Sequence, residues 1–334
     1  MTTAQLKNIL QSNVLSVCPL IEEMLLNAAM HIEAGAHILL APPCGCCDEA
    51  EEELLKQIFA CASDKAFVAG QIQSPKESLQ ESGGSLSYET YYASVLKQAK
   101  FLEQSGVSFI FLTDFTDVQL AKCAFYALRE ATALPVCAGF SVRNDEKGLK
   151  QAMSLLVTLQ SLGASAVGIT GEDIEETLEL LSELQGFATV PLFTLCCASG
   201  YLEPEEYGDY VSSFVNQKCA LLGLYQKGPA FTAAATKALW QLSPLAPDFP
   251  LLHAVASKTE TIFLDFNGNI VGKNRQLVEI KTEEMQEIVQ ALSLFNRVVL
   301  HRYALLLRIW MYCAMPSCIM PVGRRCALMN MAKF

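Results

Sequence analysis

The chain has 334 residues, 51% of them hydrophobic, and a formal net charge of −11. Such a length and apolar content bury a large core, and the acidic balance argues against nucleic acid as the main partner. Thirteen cysteines is an odd count, residues 1–11 lack a signal-peptide pattern, and the longest uncharged apolar run (309–323) is too short to span a bilayer, so a reduced, cytoplasmic setting without a transmembrane segment is expected.

In chain order, β-rich apolar runs at 37–41, 67–73, 107–113, 135–141, 165–170, 190–195 and 220–225 read as strands. The segments between them carry apolar residues at helical spacing, as Tyr91, Val95, Leu96, Ala99 and Leu102 do. Four times a helix runs through a short turn into a strand: Glu33-Ala34-Gly35-Ala36, Glu103-Gln104-Ser105-Gly106, Ser161-Leu162-Gly163-Ala164 and Asn216-Gln217-Lys218-Cys219. Three of these turns offer a glycine for the left-handed position that ends a helix. Pro135 and Pro191 stand at strand starts, where a missing N–H is tolerated.

This alternation predicts an α/β fold, a (β/α)8 TIM barrel with a C-terminal extension, its eighth strand drawn from 8–17. An open doubly wound sheet is the alternative, but no strand is followed by a Gly-x-Gly-x-x-Gly turn. The barrel is assigned to 1–265, with a closing helix at 228–242. An extension follows at 266–296, in which 261–265 and 276–280 flank the turn signal Asn267-Gly268-Asn269 and a helix starts at Thr282. The last acidic residue is Glu287, whereas Arg297, Arg302, Arg308, Arg324, Arg325 and Lys333 follow, so 297–334 is a basic, Met- and Cys-rich tail. That tail reads either as an amphipathic contact segment or as an appendage outside the fold.

Chemistry in such a barrel gathers where strands end and helices begin. Asp114 and Asp117 leave the strand at 107–113, and each reads either as a helix cap or as the anchor of a substrate ammonium, with capping favoured for Asp114. Glu172 and Asp173 read as caps of the next helix, Arg143, Asn144 and Asp145 as a solvated loop, and the acidic run 49–53 as a solvated helix start. His31, His37, His253 and His301 share no partner spacing, and none is assigned to catalysis.

The ordered series Glu33-Ala34-Gly35-Ala36, Val68-Ala69-Gly70, Gly106-Val107, Thr113-Asp114-Phe115-Thr116-Asp117, Ala121-Lys122-Cys123-Ala124, Leu221-Leu222-Gly223 and Gly228-Pro229 resembles the homocysteine S-methyltransferase family. The likeness extends over roughly 22–265, including Ala256-Ser257-Lys258-Thr259, and is nearest to the homocysteine-binding barrel of cobalamin-dependent methionine synthases. The resemblance implies methyl transfer to the homocysteine thiol, which yields methionine, with methylcobalamin on a corrinoid partner or a small methyl donor supplying the methyl group. It also implies a zinc ion on three cysteines, one after the sixth strand and an adjacent pair after the eighth, which holds the thiol as thiolate.

At those three positions this chain carries Gly171, Leu224 and Tyr225, so the family's metal ligands are missing. The family's amino-group acid falls on Thr113, and the neighbouring acidic position is retained as Asp117. Substrate contacts are therefore assigned to Thr113, Asp117, Thr170 and Tyr225, and no residue to catalysis. Cysteines elsewhere at strand ends, Cys44, Cys46, Cys47, Cys196 and Cys197, offer a relocated sulfur-rich site for zinc or copper(I). Small buried filler, as for Cys18, Cys61, Cys123, Cys137 and Cys219, is the other reading of the same thiols. Three functions stay open: retained methyl transfer, a non-catalytic binding or regulatory subunit for a corrinoid or methyl-transfer partner, and another small-molecule enzyme.

Overall fold

A computed structural model describes residues 1–20, 27–80, 83–198, 201–225, 227–245, 253–256, 261–264 and 270–271. The first element is a helix, α1 (Thr3–Ser12), started by a capping box. In it the Thr2 hydroxyl accepts from the Gln5 N–H at 3.2 Å while the Gln5 side chain accepts from the Thr2 N–H at 2.7 Å. This helix takes the first half of the stretch 8–17, so the closing strand begins later than expected, as β1 (Leu15–Pro19).

From there strand and helix alternate: α2 (Ala28–Glu33), β2 (Ile38–Pro43), α3 (Glu49–Ala62), β3 (Phe67–Gln73), α4 (Tyr88–Gln104), β4 (Phe109–Phe115), α5 (Val118–Ala131), β5 (Val136–Phe140) and α6 (Glu146–Ser161). The second half continues with β6 (Ala166–Asp173), α7 (Ile174–Leu184), β7 (Leu192–Cys197), α8 (Pro204–Asn216), β8 (Cys219–Leu224) and α9 (Pro229–Leu239). The eight strands pair in sequence order into a closed barrel, and parallel pairing of Leu15 with Leu221 and of Val17 with Ile38 joins β1 to both neighbours. The barrel is thus the (β/α)8 form and not the open sheet.

Inward side chains fill the ring, as a packed barrel requires. Phe111 meets Phe109 at 5.6 Å and Phe193 edge-on at 5.2 Å between ring centroids. Phe193 needs room on its neighbouring strand: a Cβ at Gly168 would lie 2.0 Å from its carbonyl oxygen. Leu6 and Leu10 of α1 join the same apolar cluster, together with strand-start residues such as Leu15, Ile38 and Ala166. The three expected turn glycines adopt left-handed backbone (Gly35 φ 94°, Gly106 φ 88°, Gly163 φ 94°), and in the fourth turn Lys218 takes that conformation at φ 65°.

A second unit holds β9 (His253–Ala256), β10 (Thr261–Leu264) and β11 (Ile270–Val271), an antiparallel sheet in the order β11-β10-β9. β10 and β11 flank the turn signal Asn267-Gly268-Asn269, which itself lies outside the described residues, as do 276–280, the helix expected from Thr282 and the tail 297–334. Among the described residues no helix is long and apolar enough to cross a membrane.

Candidate functional site

Side chains alternate along a strand, so the inward set at the base of the barrel dictates which residues face its mouth. Ala69, Phe109 and Ala166 lie in the central cluster. Two and four residues further on, the same face presents Gln71 and Gln73 from β3, Thr113 from β4 and Thr170 from β6. Thr113 and Thr170 are fully buried, and both hydroxyls are used. Gln71 Nε2 donates to Thr113 Oγ1 at 2.9 Å, and the Asp114 N–H donates to Thr170 Oγ1 at 2.8 Å.

Asp114 is not a helix cap, as the sequence had favoured. It sits inside β4, where the pairing with β5 shifts register between Leu112 and Phe115, and its backbone is left-handed at φ 61°. The bulge turns its carboxylate onto the rim: Gln73 Nε2 donates to Oδ2 at 2.8 Å, while Oδ1 is buried without a hydrogen-bond partner. Gly171, itself at φ 82°, lies against this oxygen, and a Cβ there would stand 3.1 Å from Oδ1. The Tyr225 hydroxyl is buried as well, with the Gln71 side chain beside it. Burial, and after it the charge of Asp114 and the Cys197 thiol, push the Tyr225 phenol well above its usual range, so it stays neutral.

Other residues singled out from sequence fall elsewhere. Asp117 caps α5, its Oδ1 accepting from the Gln119 N–H at 2.6 Å. Asp145 caps α6 and Asp173 caps α7, whereas Glu172 accepts from the Ser141 hydroxyl instead of capping. Asn144 donates to Glu179, and Leu224 is buried in β8. On β7, Leu195 faces the core, so Cys196 points outward to the helices and Cys197 inward. Cys196 contacts Thr194 Oγ1 at 2.8 Å, and burial pushes its thiol up to about 12. Cys197 is raised as well, by burial and then by the carboxylates of Asp114, Glu172 and Asp173.

The five cysteines expected to share one metal therefore do not assemble. Among the described residues the group of potential ligands within 4.8 Å of one another is Cys44, Cys47 and Glu51, with neither Cys196 nor Cys197 in it. Of the histidines, His31 Nδ1 pairs with Thr232 Oγ1 at 2.9 Å, and His37 Nδ1 accepts from the Ser16 N–H at 3.2 Å. Burial lowers both imidazoles below their ordinary value. A cleft of 630 Å³ lies at the starts of α7 and α8 and involves Asp173, Tyr201, Glu206 and Tyr210; Thr113, Asp114, Thr170 and Tyr225 are not in its lining.

Sequence reasoning missed Gln71, Gln73 and Ser141 at the rim. The first two were legible from the period-2 alternation of 67–73, which puts them on the face of Ala69.

The homocysteine S-methyltransferase family model matches residues 29–223. Among solved structures, the chain is similar to the apo form of the homocysteine methyltransferase MmuM from Escherichia coli, with 17% identity, a TM-score of 0.55, and coverage of 68% of this chain and 96% of that one. The metallated form of the same enzyme gives 16%, 0.55, 67% and 96%. The carboxyl transferase domain of Rhizobium etli pyruvate carboxylase gives 9% identity and a TM-score of 0.50, covering 75% of this chain and 53% of that one. At these identities the structural likeness speaks for the fold. No curated protein matches the chain.

Proposed function

The chain belongs to the homocysteine S-methyltransferase family, and from that premise we propose that its barrel mouth binds a small amino acid of the homocysteine type without zinc at the family's metal position. One observation carries this reading: Asp114 Oδ1, a buried carboxylate oxygen with no donor. Leaving such a group unpaired costs about 1–3 kcal/mol, and a ligand ammonium removes that cost. Gln73 and the bulge hold the carboxylate in place, and Thr170 fixes its backbone by accepting the Asp114 N–H. The neutral Tyr225 phenol, with the Gln71 side chain at its oxygen, is suited to donate its O–H to the ligand's carboxylate. Both atoms are screened from solvent, so a ligand must part the rim as it enters.

The residues at the family's ligand positions do not fit a zinc ion. Gly171 has no side chain and a backbone that a cysteine adopts only under strain. Leu224 is a buried aliphatic, and Tyr225 keeps its proton. This supports a degenerate metal site and a binding or regulatory role beside a methyl-transfer partner such as a corrinoid protein. Retained methyl transfer to homocysteine is the second reading, and family membership is what favours it.

Calorimetric titration of L-homocysteine and L-methionine into the wild type and Asp114→Asn, with a methyl-transfer assay from methylcobalamin alongside, tests the proposal. Saturable binding that weakens by about tenfold or more in the variant, a loss of one charge-assisted bond, is expected, with no methionine formed. Absence of binding, or binding indifferent to Asp114, overturns it. Methionine formation by the wild type instead establishes the second reading.

A further inference from the structure

Between β2 and α3 the loop Cys44-Gly45-Cys46-Cys47 folds back on Glu51, a group that shares no residue with the positions where the family carries its metal. Cys44 Sγ lies 3.6 Å from Cys47 Sγ and 3.6 Å from Glu51 Oε2. We propose that Cys44, Cys47 and Glu51 form a zinc site, with the fourth position of the ion open to solvent.

Two of the three ligand separations are those of a coordination shell, and the third is within 4.8 Å. With Zn–S near 2.3 Å and Zn–O near 2.0 Å, tetrahedral geometry sets an S···S edge of about 3.8 Å and an S···O edge of about 3.5 Å. Both observed separations are within about 0.2 Å of those edges, the tolerance asked of a preformed site. Two sulfurs and one carboxylate oxygen are a donor set that zinc accepts, while the hard carboxylate is a poor partner for copper(I).

The support around the three ligands is also in place. Glu51 Oε1 accepts from the Gly45 and Cys46 N–H groups at 2.7 and 3.0 Å, and Oε2 from the Cys47 N–H at 2.7 Å. These bonds orient the carboxylate toward Cys44, as outer partners orient a metal ligand. From α4, Lys97 Nζ donates to the Cys46 carbonyl at 2.7 Å and Gln98 Nε2 to the Cys44 carbonyl at 3.1 Å, which pins the loop. Cys47 is held at φ 54°, a left-handed backbone uncommon outside glycine. The strained residue is the one that turns a second sulfur onto the first.

A redox dithiol fits the same pair less well. Burial raises both thiols above their usual range, and at Cys44 the neighbouring Cys47 and the Glu51 carboxylate add to it. Attack on a disulfide needs thiolate, which these surroundings disfavour. A divalent cation reverses that balance by stabilising thiolate and carboxylate together.

The test uses the full chain, purified under reductant and stripped of metal, then titrated with Zn²⁺ against a chromophoric chelator. One ion per chain is expected, with about two protons released as the thiols deprotonate. Cys44→Ser and Cys47→Ser should each weaken binding by about a hundredfold or more and Glu51→Gln by about tenfold, whereas Cys196→Ser leaves it unchanged. Should the serine variants fail to fold, Co²⁺ in the wild type decides: thiolate-to-cobalt charge-transfer bands with the visible spectrum of a tetrahedral ion support the site. Substoichiometric binding by the wild type, a cobalt spectrum without charge-transfer bands, or full binding by a folded Cys44→Ser/Cys47→Ser protein overturns it.

Discussion

Asp114 combines two costs in one residue on the barrel rim, namely a left-handed backbone and a buried oxygen without a donor. Replacing it with glycine tests whether those costs are held for the sake of a ligand. Relief of the φ 61° backbone is worth about 1 kcal/mol, and removal of the unpaired oxygen about 2 kcal/mol. Against these stand the Gln73 hydrogen bond, about 1 kcal/mol, and the extra freedom that glycine brings to the unfolded chain, again about 1 kcal/mol. The Thr170 hydroxyl accepts from a backbone N–H and keeps its bond in the variant. Asp114→Gly is therefore expected to be more stable than the wild type by about 1 kcal/mol while losing homocysteine binding. Urea unfolding with matched m-values gives the stability, and calorimetry gives the binding. A loss of more than about 1 kcal/mol would mean that Asp114 holds the fold together, and the ligand argument would fail with it.

Gly168→Ala drives a Cβ to 2.0 Å from the Phe193 carbonyl oxygen, which as backbone cannot yield, and should lower stability by about 3 kcal/mol or more. A thermal midpoint close to the wild type would refute the close β6–β7 packing. Stability should also fall on acidification: burial holds His31 and His37 neutral in the fold, so the unfolded chain takes up the protons first as pH drops through about 6.5. That stability is fully present above this value and is lost below it, by up to about one proton's linkage per histidine. Urea midpoints at two pH values check the slope, and a pH-independent midpoint, or an unchanged slope in His31→Gln, would count against it.

The barrel was legible because its signals are local and repeated. Gly35, Gly106 and Gly163 mark helix ends by a backbone conformation that few other residues accept, and the strands between are apolar runs of the right length. β1 was misplaced because Asn8–Val17 mixes a helix end with a strand start, although the box Thr2-x-x-Gln5 announces α1. The site was harder to read. The sequence favoured capping for Asp114 and a substrate contact for Asp117, whereas the bulge, which depends on pairing with β5, sends Asp114 to the rim and leaves Asp117 at the helix. Cys196 and Cys197 likewise part company by strand alternation once Leu195 is known to face inward. Glu51 looked like one more solvated charge in 49–53, and its role emerges only when the preceding loop curls back to give it three N–H groups.

The ring closes through hydrogen bonds between β1 and β8, which stand at opposite ends of the barrel sequence. During synthesis Leu15–Pro19 leaves the ribosome before the other barrel strands and waits for Cys219–Leu224 before its second edge is covered, with β2 its early strand partner. Until then both margins of a growing parallel sheet offer unpaired N–H and C=O groups to other chains. Nascent protein truncated before β8 should consequently be a client of chaperones and prone to self-association, and relief should arrive only with the barrel's eighth strand.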